Sequence, residues 1–151
     1  MSTPFTDIYD LFLTQIYDYK INQLYTISIT DFETYLQGFL VNAIPKFKNC
    51  TKDLTDIDLT SGTFAATLTL EEKTILSDLM IVQWMVKETQ DVSQFQLKLN
   101  DTDFKHYAES QNLKEKSEYM NRIREIVNQN MTNYGVSNIP WSDWAAGNYG
   151  I

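Results

Sequence analysis

The sequence predicts a mainly α-helical protein: a small helical bundle with a long C-terminal helix and an extended arm or β-hairpin over about residues 46–69. Three observations carry this. Apolar residues recur at three- and four-residue spacing in four separate stretches, which places them on one face of a helix. Residues 46–69 break that pattern with Thr-rich alternation around Gly62. Glycine is scarce, five in 151 residues, while 13% of the chain is aromatic, so there is bulk enough to build a core.

The first helix opens at Thr3-Pro4, with Thr6 as an alternative cap, and runs to about Tyr19; Phe5, Ile8, Phe12 and Ile16 form its inner face. The second begins at Thr30-Asp-Phe-Glu33. This spacing is a capping box, in which hydroxyl and carboxylate reciprocally satisfy free backbone amides. Phe32, Leu36, Phe39, Leu40, Ala43 and Ile44 follow, and Pro45 stops the helix.

A second capping box, Thr69-Leu-Glu-Glu72, starts the third helix, which runs to about Thr89. At 100° per residue Ile75, Leu79, Val82 and Val86 fall on one stripe. Ile81 and Trp84 fall on the opposite arc. A helix apolar on both sides is either central to its own domain or covered by a partner, so Ile81 and Trp84 are candidate subunit-interface residues. Residues 90–103 read as a polar loop with a short element at Phe95, Leu97 and Leu99. A long helix then runs from about Phe104 to Met131, with Leu113, Met120, Ile123, Val127 and Met131 as a narrow stripe, Glu118 and Arg122 as an i,i+4 pair, and Gly135 as its terminator. Residues 1–135 are thus a helical domain with an arm, and 136–151 a tail.

The chemistry of the chain is narrow. Asp plus Glu number 20 against 12 Lys plus Arg, a net charge of −8, which argues against non-specific nucleic-acid binding. There is one His and one Cys, so a disulfide framework and a zinc site of the usual ligand set are not expected. Cys50 and His106 could form a nucleophilic pair only if the fold brought them together, and neither sits in a catalytic signature. Asp53, Asp56 and Asp58 form an acidic arm, but an EF-hand loop starting at Asp56 would place Ser61 where Gly is required and Thr67 where Glu is required. The glycines fit neither a P-loop nor a dinucleotide fingerprint. No apolar run reaches the ~18–20 residues of a membrane span, and the N-terminus lacks the pattern of a secretion signal. Catalytic residues, metals and cofactors are therefore not expected; a protein made in a reducing cytoplasm is. The tail is unusual: Ile139, Trp141, Trp144 and Tyr149 surround Pro140 and two glycines. It either folds back on its own core or docks on another chain, since Trp is enriched among interface anchors.

The order of these segments resembles a known family. An early Asp7-Ile-Tyr-Asp10 precedes a capped helix ending Asn42-Ala-Ile-Pro-Lys-Phe47; an acidic extended segment leads into Leu68-Thr-Leu-Glu-Glu-Lys-Thr-Ile-Leu-Ser-Asp-Leu-Met-Ile-Val-Gln-Trp84; Leu99-Asn-Asp-Thr-Asp-Phe-Lys105 comes before a long polar helix. Over about residues 5–131 this resembles the head–tail connector, or adaptor, proteins in the neck of tailed bacteriophages of Gram-positive hosts. The resemblance implies a structural virion subunit without catalytic residues. Copies would form a ring, a dodecamer by the family pattern, beneath the portal protein. The ring would continue the DNA channel without specific binding and present a platform to the next neck or tail protein. A head-closure or tail-completion subunit is the neighbouring alternative. A small acidic inhibitor of one host protein is an alternative of another class.

Overall fold

The computed structural model describes the backbone of residues 1–98 and 103–147 and the side chains of residues 1–91 and 114–147. It is mainly α-helical, as the sequence predicts, with a small antiparallel sheet. Strand β1 (Thr3–Pro4) leads directly into α1 (Phe5–Gln15); α2 (Tyr19–Ile27) and α3 (Ile29–Ala43) follow, and a 3-10 turn covers Ile44–Lys46. Strands β2 (Ile57–Asp58) and β3 (Thr63–Phe64) come next, then α4 (Leu70–Lys98), α5 (Asp103–Ser137) and α6 (Trp141–Ala145).

Helix α4 is the axis of the fold. Its capping box forms as the sequence predicts: Thr69 N–H donates to Glu72 Oε2 at 2.7 Å and Glu72 N–H donates to Thr69 Oγ1 at 3.2 Å. Beyond it, Ile75, Leu76, Leu79, Met80, Ile81, Val82 and Met85 are all buried, which is more than one helical face. α1 lies against one side through Phe5, Ile8, Tyr9 and Phe12, with the Asp7–Lys73 ion pair at 2.9 Å and Gln15 Nε2 donating to Asp78 at 3.2 Å. α3 adds Phe32, Leu36, Phe39, Leu40 and Ala43. α5 closes the opposite side with Val127, Met131 and Tyr134, running antiparallel to α4 so that Tyr134 reaches Glu72.

Several boundaries differ from the sequence reading, each for a physical reason. Thr3 and Pro4 do not start the first helix. They form an edge strand paired to Phe64 and Thr63, and Thr3 Oγ1 donates to Ala66 O at 3.0 Å while accepting from Leu68 N–H at 2.8 Å. The helix ends at Gln15 rather than near Tyr19. Asp18 then caps a separate helix, α2, by accepting from Lys20 N–H at 2.8 Å. Residue 28, not Thr30, caps α3: the Ser28 hydroxyl accepts from Asp31 N–H at 3.2 Å, and Glu33 stays exposed. Gly135 does not end the long helix. Its φ is not positive, as a terminating glycine's would be, and α5 continues through it to Ser137. The expected loop over 90–103 is helical as far as Lys98, and residues 99–102 lie outside those described. Among the described pairs Glu118 meets Lys114 at 4.0 Å, not Arg122.

The hairpin within 46–69 is present, but it is not a projecting arm. β3 lies between β1 and β2, with Phe64 opposite both Thr3 and Ile57. Gly62 turns the chain at a φ of 66°, a conformation that costs glycine little. Its carbonyl accepts from Phe5 N–H at 2.8 Å. Phe47, Leu54, Phe64 and Leu68 join the common core, and that burial holds the segment against the body.

One carboxyl group gives the fold a pH signature. Burial pushes the Asp78 carboxyl above its ordinary range, only partly offset by the hydrogen bond from Gln15. A group raised in the folded state contributes stability that is complete below its unfolded value, about 3.9, and lost as pH rises through the folded one. Asp78→Asn, which can still accept from Gln15, is therefore expected to exceed the wild type in stability at neutral pH. The two should converge in acid, as read from urea unfolding across pH.

Candidate functional site

Trp84 and Ile81 occupy the arc of α4 opposite Ile75, Leu79 and Val82, as their spacing requires, but their cover comes from their own chain. Ile81 is only 5% exposed. Trp84 is half-buried, and its indole N–H donates to Asp18 Oδ2 at 2.7 Å while Asp18 Oδ1 caps α2. Ile81 is thus covered within its own chain, where the N-terminal helices pack on that side of α4, while Trp84 keeps part of its ring exposed. Trp84→Phe keeps most of the ring and removes the indole donor. Its expected effect is a loss of about 1.5–3 kcal/mol of stability, the range for a hydrogen bond to a charged group, with self-association unchanged by sedimentation.

Beside this contact stands a cluster of charges. Lys20 Nζ lies 5.3 Å and Lys87 Nζ 4.9 Å from the centre of the Tyr35 ring, a pair of cation–π contacts. Burial first, then the carboxylates of Asp18, Glu88 and Asp91, push the Tyr35 hydroxyl up to about 12. Burial and then Asp18 also raise Glu88. The cluster ties α2, α3 and α4 together; it brings no nucleophile to a base.

The acidic arm resolves into turns. Asp53 Oδ1 accepts from Thr55 N–H at 2.8 Å and from Thr55 Oγ1 at 2.6 Å. Asp58 Oδ1 accepts from Thr60 N–H at 2.8 Å and Ser61 N–H at 3.3 Å. The Thr55 hydroxyl and N–H hold the Asp53 carboxyl below the ordinary range, and the Ser61 hydroxyl, then the Thr60 and Ser61 N–H groups, do the same for Asp58. Asp56 contributes its backbone carbonyl to Ala65 N–H. Among the described residues no three His, Cys, Asp or Glu side chains gather where they could hold a metal ion. Cys50 is a free, half-buried thiol that burial raises above its ordinary value. It lies near a buried network in which Tyr134 OH donates to Glu72 Oε1 at 2.7 Å and pairs with Thr51 Oγ1 at 2.7 Å. The side chain of His106 lies outside the described residues, as does Tyr149.

As far as residue 147 the tail keeps its aromatic surface. After Ile139, which is half-buried, Trp141–Ala145 form one short helix with Pro140 at its N-cap. Trp141 and Trp144 are 55% and 56% exposed, with ring centroids 6.4 Å apart and planes at 63°. The Trp141 indole donates to Val136 O at 3.2 Å, which ties this helix to the last turn of α5.

Two surfaces were not legible in the sequence. Tyr17, Tyr19, Tyr25, Ile27 and Ile29 are each more than half exposed around α2, a helix that buries only Ile21 among its own residues. A cleft of about 460 Å³ opens between α4 and α5. Its floor is Leu79, Val82, Val86, Val127 and Met131, and Lys46, Lys48 and Arg124 stand at its sides; among the described residues no acidic side chain lines it. The helical stripes signal its floor, but residues from three segments make its rim. Among the described residues no helix is long and apolar enough to cross a membrane. Comparison with protein-family models, curated proteins and solved structures finds no match to this chain.

Proposed function

We propose that this protein is a structural subunit of the head–tail connector in the neck of a tailed bacteriophage. Copies form a closed ring, a dodecamer by the family resemblance, between the portal protein and the next neck or tail component. DNA crosses its channel without specific binding, because an excess of carboxylates repels the phosphate backbone. The protein works by contact rather than by catalysis, without metal or cofactor, and resides in the virion after synthesis in the host cytoplasm.

The observation that carries this reading is the tryptophan pair. Two indoles, each more than half exposed on a terminal five-residue helix, offer the chemistry of interface anchors. The order of elements, from the capped α3 through the hairpin and α4 to the long polar α5, supports it through the resemblance described above. Because Ile81 and Trp84 are occupied within the chain, the contact surfaces assigned to assembly are the tail and the faces around it. The test is genetic. Inactivating the gene in its phage is expected to leave DNA-containing heads and complete tails that do not join, with joining restored by the protein supplied in trans. Joined, infectious particles without the protein would overturn the reading.

A further inference from the structure

We infer that the cleft between α4 and α5 is the receptor for the tryptophan tail of a second copy of this chain. The inference rests on the ring reading above and gives that ring its contact.

The two surfaces are complementary in charge. The chain is acidic, yet three of its 12 basic residues stand at this one cleft, and among the described residues no Asp or Glu lines it. Its floor is largely covered by the chain's own packing, with Leu79, Val82, Val127 and Met131 each at most 6% exposed, so an occupant is selected mainly at the rim, by negative rather than positive charge and by aromatic rings that the three cations can face. The described tail meets both conditions. Across residues 136–147 the only charged side chain is Asp143, which lies between Trp141 and Trp144 in sequence and is exposed. The cleft volume of about 460 Å³ falls within the ~300–1,000 Å³ of pockets that bury compact ligands. Lys46, Lys48 and Arg124 could receive both the carboxylate and the faces of the indoles, since a cation over an indole is attracted by the ring.

The geometry favours a neighbour over the same chain. The Trp141 indole is bonded to Val136 at the end of α5, whereas the cleft is lined by Arg124 to Met131, earlier along that helix. A tail that docks on the next copy, whose own tail docks on the next, is a heterologous contact, the kind that closes rings.

The test uses two full-length variants. One carries Lys46→Glu, Lys48→Glu and Arg124→Glu and keeps its tail intact. The other carries Trp141→Ala and Trp144→Ala and keeps its cleft. Thermal melting establishes that both are folded, and native mass spectrometry reads their assembly. Each alone is expected to need at least about tenfold more protein than the wild type to self-associate, the effect of losing one interface anchor. Mixed, they should form a 1:1 complex through the single cleft and tail that remain compatible. Assembly of both variants at wild-type concentrations overturns the inference and leaves the ring reading intact. A mixture that stays monomeric also overturns it. A wild-type chain that is monomeric alone but coats portal rings overturns the self-docking contact and spares the connector assignment; one that does neither overturns both.

Discussion

Glu72→Ala is expected to lower unfolding free energy by at least about 3 kcal/mol, since each hydrogen bond to a charged group is worth roughly 1.5–3 kcal/mol and buried partners would be left behind. Glu72 is 1% exposed and its two oxygens serve different segments. Oε2 accepts from Thr69 N–H and closes the cap of α4; Oε1 accepts from Tyr134 OH on α5. Thr51, from the loop before the hairpin, donates its N–H to the same tyrosine oxygen at 3.2 Å. Truncation therefore loosens a helix start, a helix pair and a loop together. Glu72→Gln, which keeps the shape, should cost less than the alanine variant. In a double-mutant cycle with Tyr134→Phe the coupling energy should fall in the ~0.5–3 kcal/mol range of directly bonded partners. Urea denaturation of the four proteins measures it; additive effects would mean that the contact between residues 72 and 134 contributes nothing to stability.

Phe64→Ala is the second large effect, a loss of about 3–5 kcal/mol. Phe64 is fully buried, stacks edge-to-face on Phe5 with centroids 4.9 Å apart, and is the central position of the three-stranded sheet. With total stabilities of roughly 5–15 kcal/mol, such a loss brings a domain close to unfolding. A projecting arm would tolerate the change. The same truncation at Leu59, which is 53% exposed in the hairpin turn, should change the thermal midpoint little.

Local patterns in the sequence hold for some partners within one turn and not for others: the Thr30–Glu33 box gives way to Ser28, and Glu118 meets Lys114 rather than Arg122. The Thr69–Glu72 box and the stripes of α3 and α4 appear where the spacing puts them. Most of the other differences are long-range. Thr3 and Pro4 look like a helix start, but their partners are 60 residues away in β3, and no local signal carries that pairing. Ser28 and Thr30 are both capable caps, and the position was decided by Ser28 also ending α2, its N–H donating to Leu24 O. Gly135 has the residue type of a terminator but lacks the positive φ of one and lies within α5. The two arcs of α4 were correctly drawn, yet which chain covers Ile81 and Trp84 depends on Asp18, 66 residues before Trp84. The tail's aromatic character was legible; its short helix and the cationic cleft were not, because the cleft joins Lys46 and Lys48 to side chains of α4 and α5.

The central claim is that copies of this chain form a ring that continues the portal. Electron microscopy of the purified wild-type protein mixed with the portal of the same phage tests it most directly. The account predicts side views with an added layer stacked coaxially on the portal and end views of that layer as a closed ring around an open channel. Portal rings without added density, with this protein left as monomers or found only in a small complex with one host protein, would contradict it.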